Sequence, residues 1–196
     1  MAAYNLIKMQ NKLRKYMDET RFYHTMGVMY TAASLAMCHG ADLERAQVAG
    51  LLHDCAKCIP NDKKLKLCKL YKIPVSEVER KSPQLLHARL GSFIAETKYD
   101  IKDPEILSAI NCHTTGKPEM TLLEKIIFVA DYIEPMRNKA FNLEQIRSLA
   151  FQDLDLAVYV ILHDTIEYLK DSKSCLDNSS VLAYNYYKNI IEEREA

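Results

Sequence analysis

The chain has 196 residues, 48% of them hydrophobic and 27% charged, the composition of a soluble globular protein long enough for one sizeable core. Lysine plus arginine and aspartate plus glutamate both number 26, so a formal charge of zero gives no electrostatic reason to expect nucleic acid or an anionic membrane as partner. The start, Met1-Ala2-Ala3-Tyr4, lacks a secretory pattern and no window reaches the roughly 18 apolar residues of a membrane span, so the six cysteines are expected to be reduced thiols in a cytoplasmic protein.

Glycine (five) and proline (six) are scarce, and apolar residues recur every three or four positions, which predicts an all-α bundle in a single domain. A first helix is expected over about 4 to 17 and a second over 21 to 39, carrying Arg21 and His24 and stopping at Gly40. A third, capped by Asp42, runs from 42 to 57 and holds the most informative segment, Gly50-Leu51-Leu52-His53-Asp54-Cys55-Ala56-Lys57. There an apolar run ends in an imidazole, a carboxylate and, three residues on, an ammonium. Imidazole and carboxylate are ligands for a borderline divalent metal, and Lys57 is placed to meet an anion at that metal. Neighbouring helical side chains point about 100° apart, so the doublet needs further ligands from other helices.

A helix over 62 to 71 bears Lys63, Lys64 and Lys66, read as a solvated face. His87 lies in the next, 84 to 98, and His113 ends the one after, 103 to 113, before Thr114-Thr115-Gly116. Thr121 and Glu124 form a capping box that opens a helix over 120 to 136, and Asp131 stands in the middle of its apolar run, where a buried carboxylate requires partners. Helices over 142 to 151, 153 to 171 and 178 to 193 complete the chain, with 172 to 180 its most loop-like stretch. Taken singly, His24 and His87 also fit hydrogen-bonded core positions, His113 fits a helix C-terminus favoured by the dipole, and His39 and His163 fit the surface. Cys55 and Cys58 form a CxxC with no second CxxC at zinc-ribbon spacing, so they read as small apolar residues.

Together, His24, His53-Asp54 and Asp131, spread over residues 21 to 137, resemble the HD-domain metal-dependent phosphohydrolase superfamily, which is all-helical. His87 and His113, between doublet and last aspartate, resemble the extra histidines of members that hold two metals. More closely, Leu52-His53-Asp54-Cys55-Ala56-Lys57, His113-Thr114-Thr115-Gly116 and Ala130-Asp131-Tyr132-Ile133-Glu134-Pro135-Met136-Arg137 are similar to the YqeK-like family, bacterial symmetrical diadenosine tetraphosphate hydrolases with a di-iron centre. Leu182-Ala183-Tyr184-Asn185 extends the resemblance, and Tyr186 departs from it.

The resemblance implies a single HD-type helical bundle over 1–196, with C-terminal helices completing a nucleotide pocket. It implies that His24, His53, Asp54 and Asp131 hold one metal and that Asp54 bridges to a second held by His87 and His113. Iron follows from the resemblance, while the donor types alone also suit manganese, zinc or nickel. The implied substrate is a dinucleoside tetraphosphate, cleaved to two nucleoside diphosphates by a hydroxide shared between the metals, with Asp54 and Lys57 catalytic. Arg21, Lys57, Thr114 and Arg137 are the expected phosphate contacts, and Asp177, Asn178 and Ser179 the expected base or ribose contacts. An HD-type nucleotidase or phosphodiesterase acting on another nucleotide, and a non-catalytic nucleotide-binding module, are the alternatives; a homodimer is left open.

Overall fold

The computed structural model describes residues 4–138, 140 and 142–196. Among them there are eleven α-helices and no strand, as the 3.6-residue periodicity predicts. They are α1 (Leu6–Leu13), α2 (Glu19–His39), α3 (Leu43–Leu52), α4 (Asn61–Leu70), α5 (Glu77–Lys81), α6 (Leu86–Tyr99), α7 (Pro104–Cys112), α8 (Leu122–Ile133), α9 (Leu143–Ala150), α10 (Leu154–Asp171) and α11 (Asn178–Glu195). A short 3-10 turn, Pro83–Leu85, leads into α6.

The helix starts are set by side chains that satisfy orphan backbone donors: Asp42 caps α3 through Arg45 N and Asp103 caps α7, with Pro104 as its first residue. Thr121 and Glu124 make the expected capping box of α8. Ser76 and Glu79 make a second one that starts α5, a helix the periodicity missed because five residues span too little of a repeat to show a face.

The long helix α2 packs along α3 and α8, α7 lies against α3, α6 and α8, and α10 closes the far side against α8, α9 and α11. The crossing of α2 and α3 is close because Gly50 has no side chain: a Cβ there would lie 3.0 Å from the Met29 Cα. Leu35, Leu51, Leu52, Ile110 and Ile126 are fully buried in one core, each contributing up to about 1.5–3 kcal/mol of apolar transfer free energy. A satellite cluster of Ala56, Cys68, Leu86 and Leu90 ties α4 to α6. These layers point the ends of α3 and α7, the start of α6 and the last turn of α8 at the second turn of α2.

Three expected boundaries are corrected. The first helix stops at Leu13 rather than 17, and residues 14–17 continue as turns. The third helix stops at Leu52 rather than 57, and residues 53–58 continue as tight turns, with Cys55 N donating to Leu52 O (3.1 Å) and Lys57 N to Asp54 O (2.9 Å). His53 takes up the Gly50 carbonyl through its own ring, at 2.7 Å, and so competes with the helical ladder. The eighth helix ends at Ile133, two residues before Pro135, because the residue before a proline is driven out of helical geometry.

Candidate metal centre

Four imidazoles converge on the Asp54 carboxylate, and their orientation follows from where each histidine sits on its helix. His53 and His113 are the C-cap residues of α3 and α7, where the last carbonyls lack intrahelical partners. The Nδ1 of His53 faces Gly50 O at 2.7 Å and that of His113 faces Ile110 O at 2.8 Å. His87, at the start of α6, turns Nδ1 to Gln84 O at 2.6 Å. Inside α2, His24 turns Nδ1 to the Glu134 carboxylate at 3.0 Å. All four partners only accept hydrogen bonds, so each Nδ1 carries the proton and each Nε2 presents its lone pair to the centre.

Those lone pairs divide between the two oxygens of Asp54. On the Oδ2 side lie His53 Nε2 at 3.5 Å and His24 Nε2 at 3.7 Å; on the Oδ1 side lie His87 Nε2 at 3.1 Å and His113 Nε2 at 3.7 Å. Asp131, from the last turn of α8, brings Oδ1 to 3.1 Å from His24 Nε2 and 3.8 Å from His53 Nε2. Asp54 is 1% exposed, and His53 and His87 are also sealed from solvent. The fully buried His24 Nε2, His53 Nε2 and Asp54 Oδ1 make no hydrogen bond, although burying a polar atom unpaired costs on the order of 1–3 kcal/mol. Converging unpaired donors of this kind fit divalent cations, with His24, His53 and Asp131 forming one group and His53, Asp54 and His113 another. His87 Nε2, 3.1 Å from both Asp54 Oδ1 and His113 Nε2, adjoins the second group.

The protonation states suit metal binding. Burial holds the His87 imidazole down at about 4, against the raising pull of Asp54, so its lone pair is free at neutral pH. Burial would raise the Asp131 carboxyl, yet its neighbours, the Arg137 guanidinium at 2.6 Å among them, hold it well below the ordinary range.

Three cations border the pair. Arg21 Nη1 lies 2.7 Å from Asp54 Oδ2, Arg137 Nη2 2.6 Å from Asp131 Oδ1, and Lys57 Nζ 3.9 Å from Asp54 Oδ1 and 3.2 Å from His87 Nε2. All three line a cleft of about 480 Å³ that reaches from His24, His113 and Asp131 past Tyr132 to Thr165 and Ser180. Thr114, whose hydroxyl lies 3.1 Å from His113 Nε2 and 3.2 Å from His87 Nε2, is shared with a second cleft of about 340 Å³.

The six side chains expected as ligands, His24, His53, Asp54, His87, His113 and Asp131, lie together around Asp54, with Arg21, Lys57, Thr114 and Arg137 beside them. The segment Asp177, Asn178 and Ser179 instead lines the second cleft beside Arg89 and Lys117, and the Asp177 carboxylate caps α11 by accepting from Ser179 N at 2.8 Å. Ser180 is the residue of that turn that faces the main cleft. Sequence reasoning missed Glu134 as the partner of His24; the one available signal was an acid beside Pro135, just after the Asp131 helix. His39 bonds the Ala150 carbonyl at 2.7 Å and His163 sits half-exposed beside Asp164, both away from the centre. Cys55 and Cys58 are free thiols; the first donates to Gly91 O at 3.3 Å from behind the doublet, and burial pushes its thiol pKa up.

Residues 21–136 match the HD domain family. A symmetrical bis(5'-nucleosyl)-tetraphosphatase of Bacillus subtilis strain 168 is 37% identical over 175 residues, 89% of this chain and 92% of its own length. Its Staphylococcus aureus NCTC 8325 counterpart is 33% identical over 192 residues, 97% of each chain. A crystal structure from Clostridium acetobutylicum, described as a predicted HD superfamily hydrolase involved in NAD metabolism, superposes with a TM-score of 0.91 at 36% identity, covering 96% of this chain and 99% of that one.

Proposed function

The chain belongs to the HD domain family, and on that premise we propose that it is a symmetrical bis(5'-nucleosyl)-tetraphosphatase, hydrolysing a dinucleoside tetraphosphate at the middle of its phosphate chain to two nucleoside diphosphates. One observation carries the reading: Asp54 gives one carboxylate oxygen to the His24–His53 side and the other to the His87–His113 side, an arrangement suited to two cations with a shared ligand. Two divalent ions would be held there, by His24, His53, Asp54 and Asp131 on one side and by Asp54, His87 and His113 on the other. Iron is our assignment, on donors that also accept manganese, zinc or nickel. Such ions, when bound, polarise phosphate oxygens and lower the pKa of water toward neutrality.

The residues of the chain do the rest. The Nδ1 hydrogen bonds hold the imidazoles with their lone pairs inward, so ligand geometry is fixed before substrate arrives. Lys57 is one-third exposed at the wall of the cleft, where its ammonium stabilises negative charge building on the attacked phosphate. Arg21 and Arg137 add forked donors for neighbouring phosphates along the same wall. Water attacks one inner phosphorus, the anhydride bond to the other inner phosphate breaks, and each product leaves as a nucleoside diphosphate. Thr114 lines both clefts, which suits a substrate with a nucleoside at each end. On this reading the main cleft takes one nucleoside and the cleft of Asn178 and Ser179 the other.

We read residues 1–196 as a single unit of this kind acting in the cytoplasm; no helix among the described residues is long and apolar enough to cross a membrane. The test is elemental analysis of protein purified without added metal, followed by chromatography of the products from diadenosine tetraphosphate. ADP as sole product supports the proposal. Release of ATP and AMP, or absence of turnover with every divalent metal supplied, refutes it.

A further inference from the structure

We infer that Glu134 is a positioning residue that makes the two metal positions unequal, tightening the one built on His24 through a hydrogen bond that the other lacks. The inference rests on the two-ion reading above. Three of the four imidazoles are oriented by a backbone carbonyl three residues earlier, at 2.6–2.8 Å. His24 has no such option, because it lies in the second turn of a 21-residue helix whose carbonyls are committed to the helical ladder. Its Nδ1 therefore needs an acceptor from elsewhere, and Glu134 Oε1 supplies it at 3.0 Å.

The surroundings of Glu134 are built for that contact. The residue is 1% exposed, and its Oε2 accepts from Met136 N at 2.7 Å, which sets the plane of the carboxylate. Arg147, from α9, clamps the backbone around it by donating to the carbonyls of Ile133 (2.9 Å), Glu134 (3.0 Å) and Arg137 (2.9 Å). On α2, three residues after His24, Gly27 leaves the slot the carboxylate fills, since a Cβ there would stand 2.5 Å from Glu134 Oε2. Contacts from α2, α9 and the turn after α8 thus meet on one buried acid that reaches the metal position only through His24.

A carboxylate accepts more strongly than a carbonyl and draws the Nδ1 proton, which raises the basicity of the opposite lone pair. Only the His24 side gains this, so its cation binds more tightly, and Glu134 sets the gap between the two affinities.

The test is calorimetric titration of the chelator-stripped protein with manganese alone. Wild type is expected to show a tighter and a weaker event, with His24→Ala removing the first and His113→Ala the second. Glu134→Gln, which keeps the shape but weakens the acceptor, is expected to weaken the tighter event by about 10- to 100-fold and leave the weaker one in place. Gly27→Ala reaches the same contact from α2 by displacing the carboxylate, and it carries the test should Glu134→Gln fail to fold. Equal weakening of both events, or no change in either, overturns the inference. A single manganese per wild-type chain overturns it together with the two-ion reading, whereas two manganese ions without turnover of diadenosine tetraphosphate sinks the proposed reaction and leaves the role of Glu134 standing.

Discussion

Lys57→Ala separates charge stabilisation from metal holding, because the ammonium borders the proposed metal ligands without being one of them. Its Nζ is 3.9 Å from Asp54 Oδ1 and 3.2 Å from His87 Nε2, so a phosphate oxygen at the pair would lie within about 4 Å of it. Two unit charges at about 4 Å interact by roughly 4 kcal/mol at an effective dielectric near 20. With 34% of the side chain exposed, water screens part of that, leaving about 2–3 kcal/mol for the transition state. At 1.36 kcal/mol per decade the expected loss is roughly 30- to 150-fold in kcat for diadenosine tetraphosphate. Metal content by elemental analysis is expected to stay at the wild-type value. Asp54→Ala, by contrast, removes the ligand shared by both sides and is expected to lose bound metal and turnover together. Metal loss in Lys57→Ala matching that of Asp54→Ala, or a kcat within twofold of wild type, would refute the assigned roles.

Chelation of the loaded protein is expected to lower its melting temperature by about 5–10 °C in a thermal scan. That follows from roughly 2.7 kcal/mol of linkage at a metal concentration 100 times Kd, with about 2–4 °C per kcal/mol for a chain of this size; an unchanged melting curve would contradict binding to the folded state. Gly50→Ala places a methyl against the α2 backbone and pushes apart the helices that carry His24 and His53. It is expected to cost about 1–3 kcal/mol in urea denaturation and to weaken manganese binding in the same protein. Asp155, in the first turn of α10, pairs with Lys125 at 2.7 Å and Arg194 at 2.5 Å; burial would raise its carboxyl, and these partners hold it below the ordinary range. A depressed folded pKa means the stabilisation is present above the unfolded value and is lost as pH falls through the folded one. Asp155→Asn is thus expected to lower stability by about 1 kcal/mol at pH 7, a difference that narrows below about pH 4 in urea midpoints.

Much of this protein is written in local patterns. The 3.6-residue recurrence of apolar side chains, the stops at Gly40 and Pro135 and the capping box at Thr121 and Glu124 specify helices without knowledge of their neighbours, since each depends only on residues within a turn or two. The HD doublet and the later histidines and aspartate pointed to the side chains that converge on Asp54, because imidazoles and carboxylates on otherwise apolar helices must find partners. Local pattern placed the doublet inside a helix, and there it failed: the ring of His53 takes the carbonyl that would have continued the ladder. Asp177, Asn178 and Ser179 carry the polar chemistry of a ligand loop, but only packing decides that they line the second cleft while Ser180 of the same turn faces the main one.

What sequence alone determined, then, is the helical class, and it singled out the imidazoles and carboxylates that need partners, both properties of short windows and of side-chain chemistry. Only the packed structure decided that Asp54 splits its oxygens between two imidazole pairs, that Glu134 reaches His24 across 110 positions of chain, and that Gly27 leaves room for it. Those facts depend on helix crossings and on distances between residues remote in sequence, which are settled by how the apolar faces of α2, α3, α7 and α8 fill their shared core.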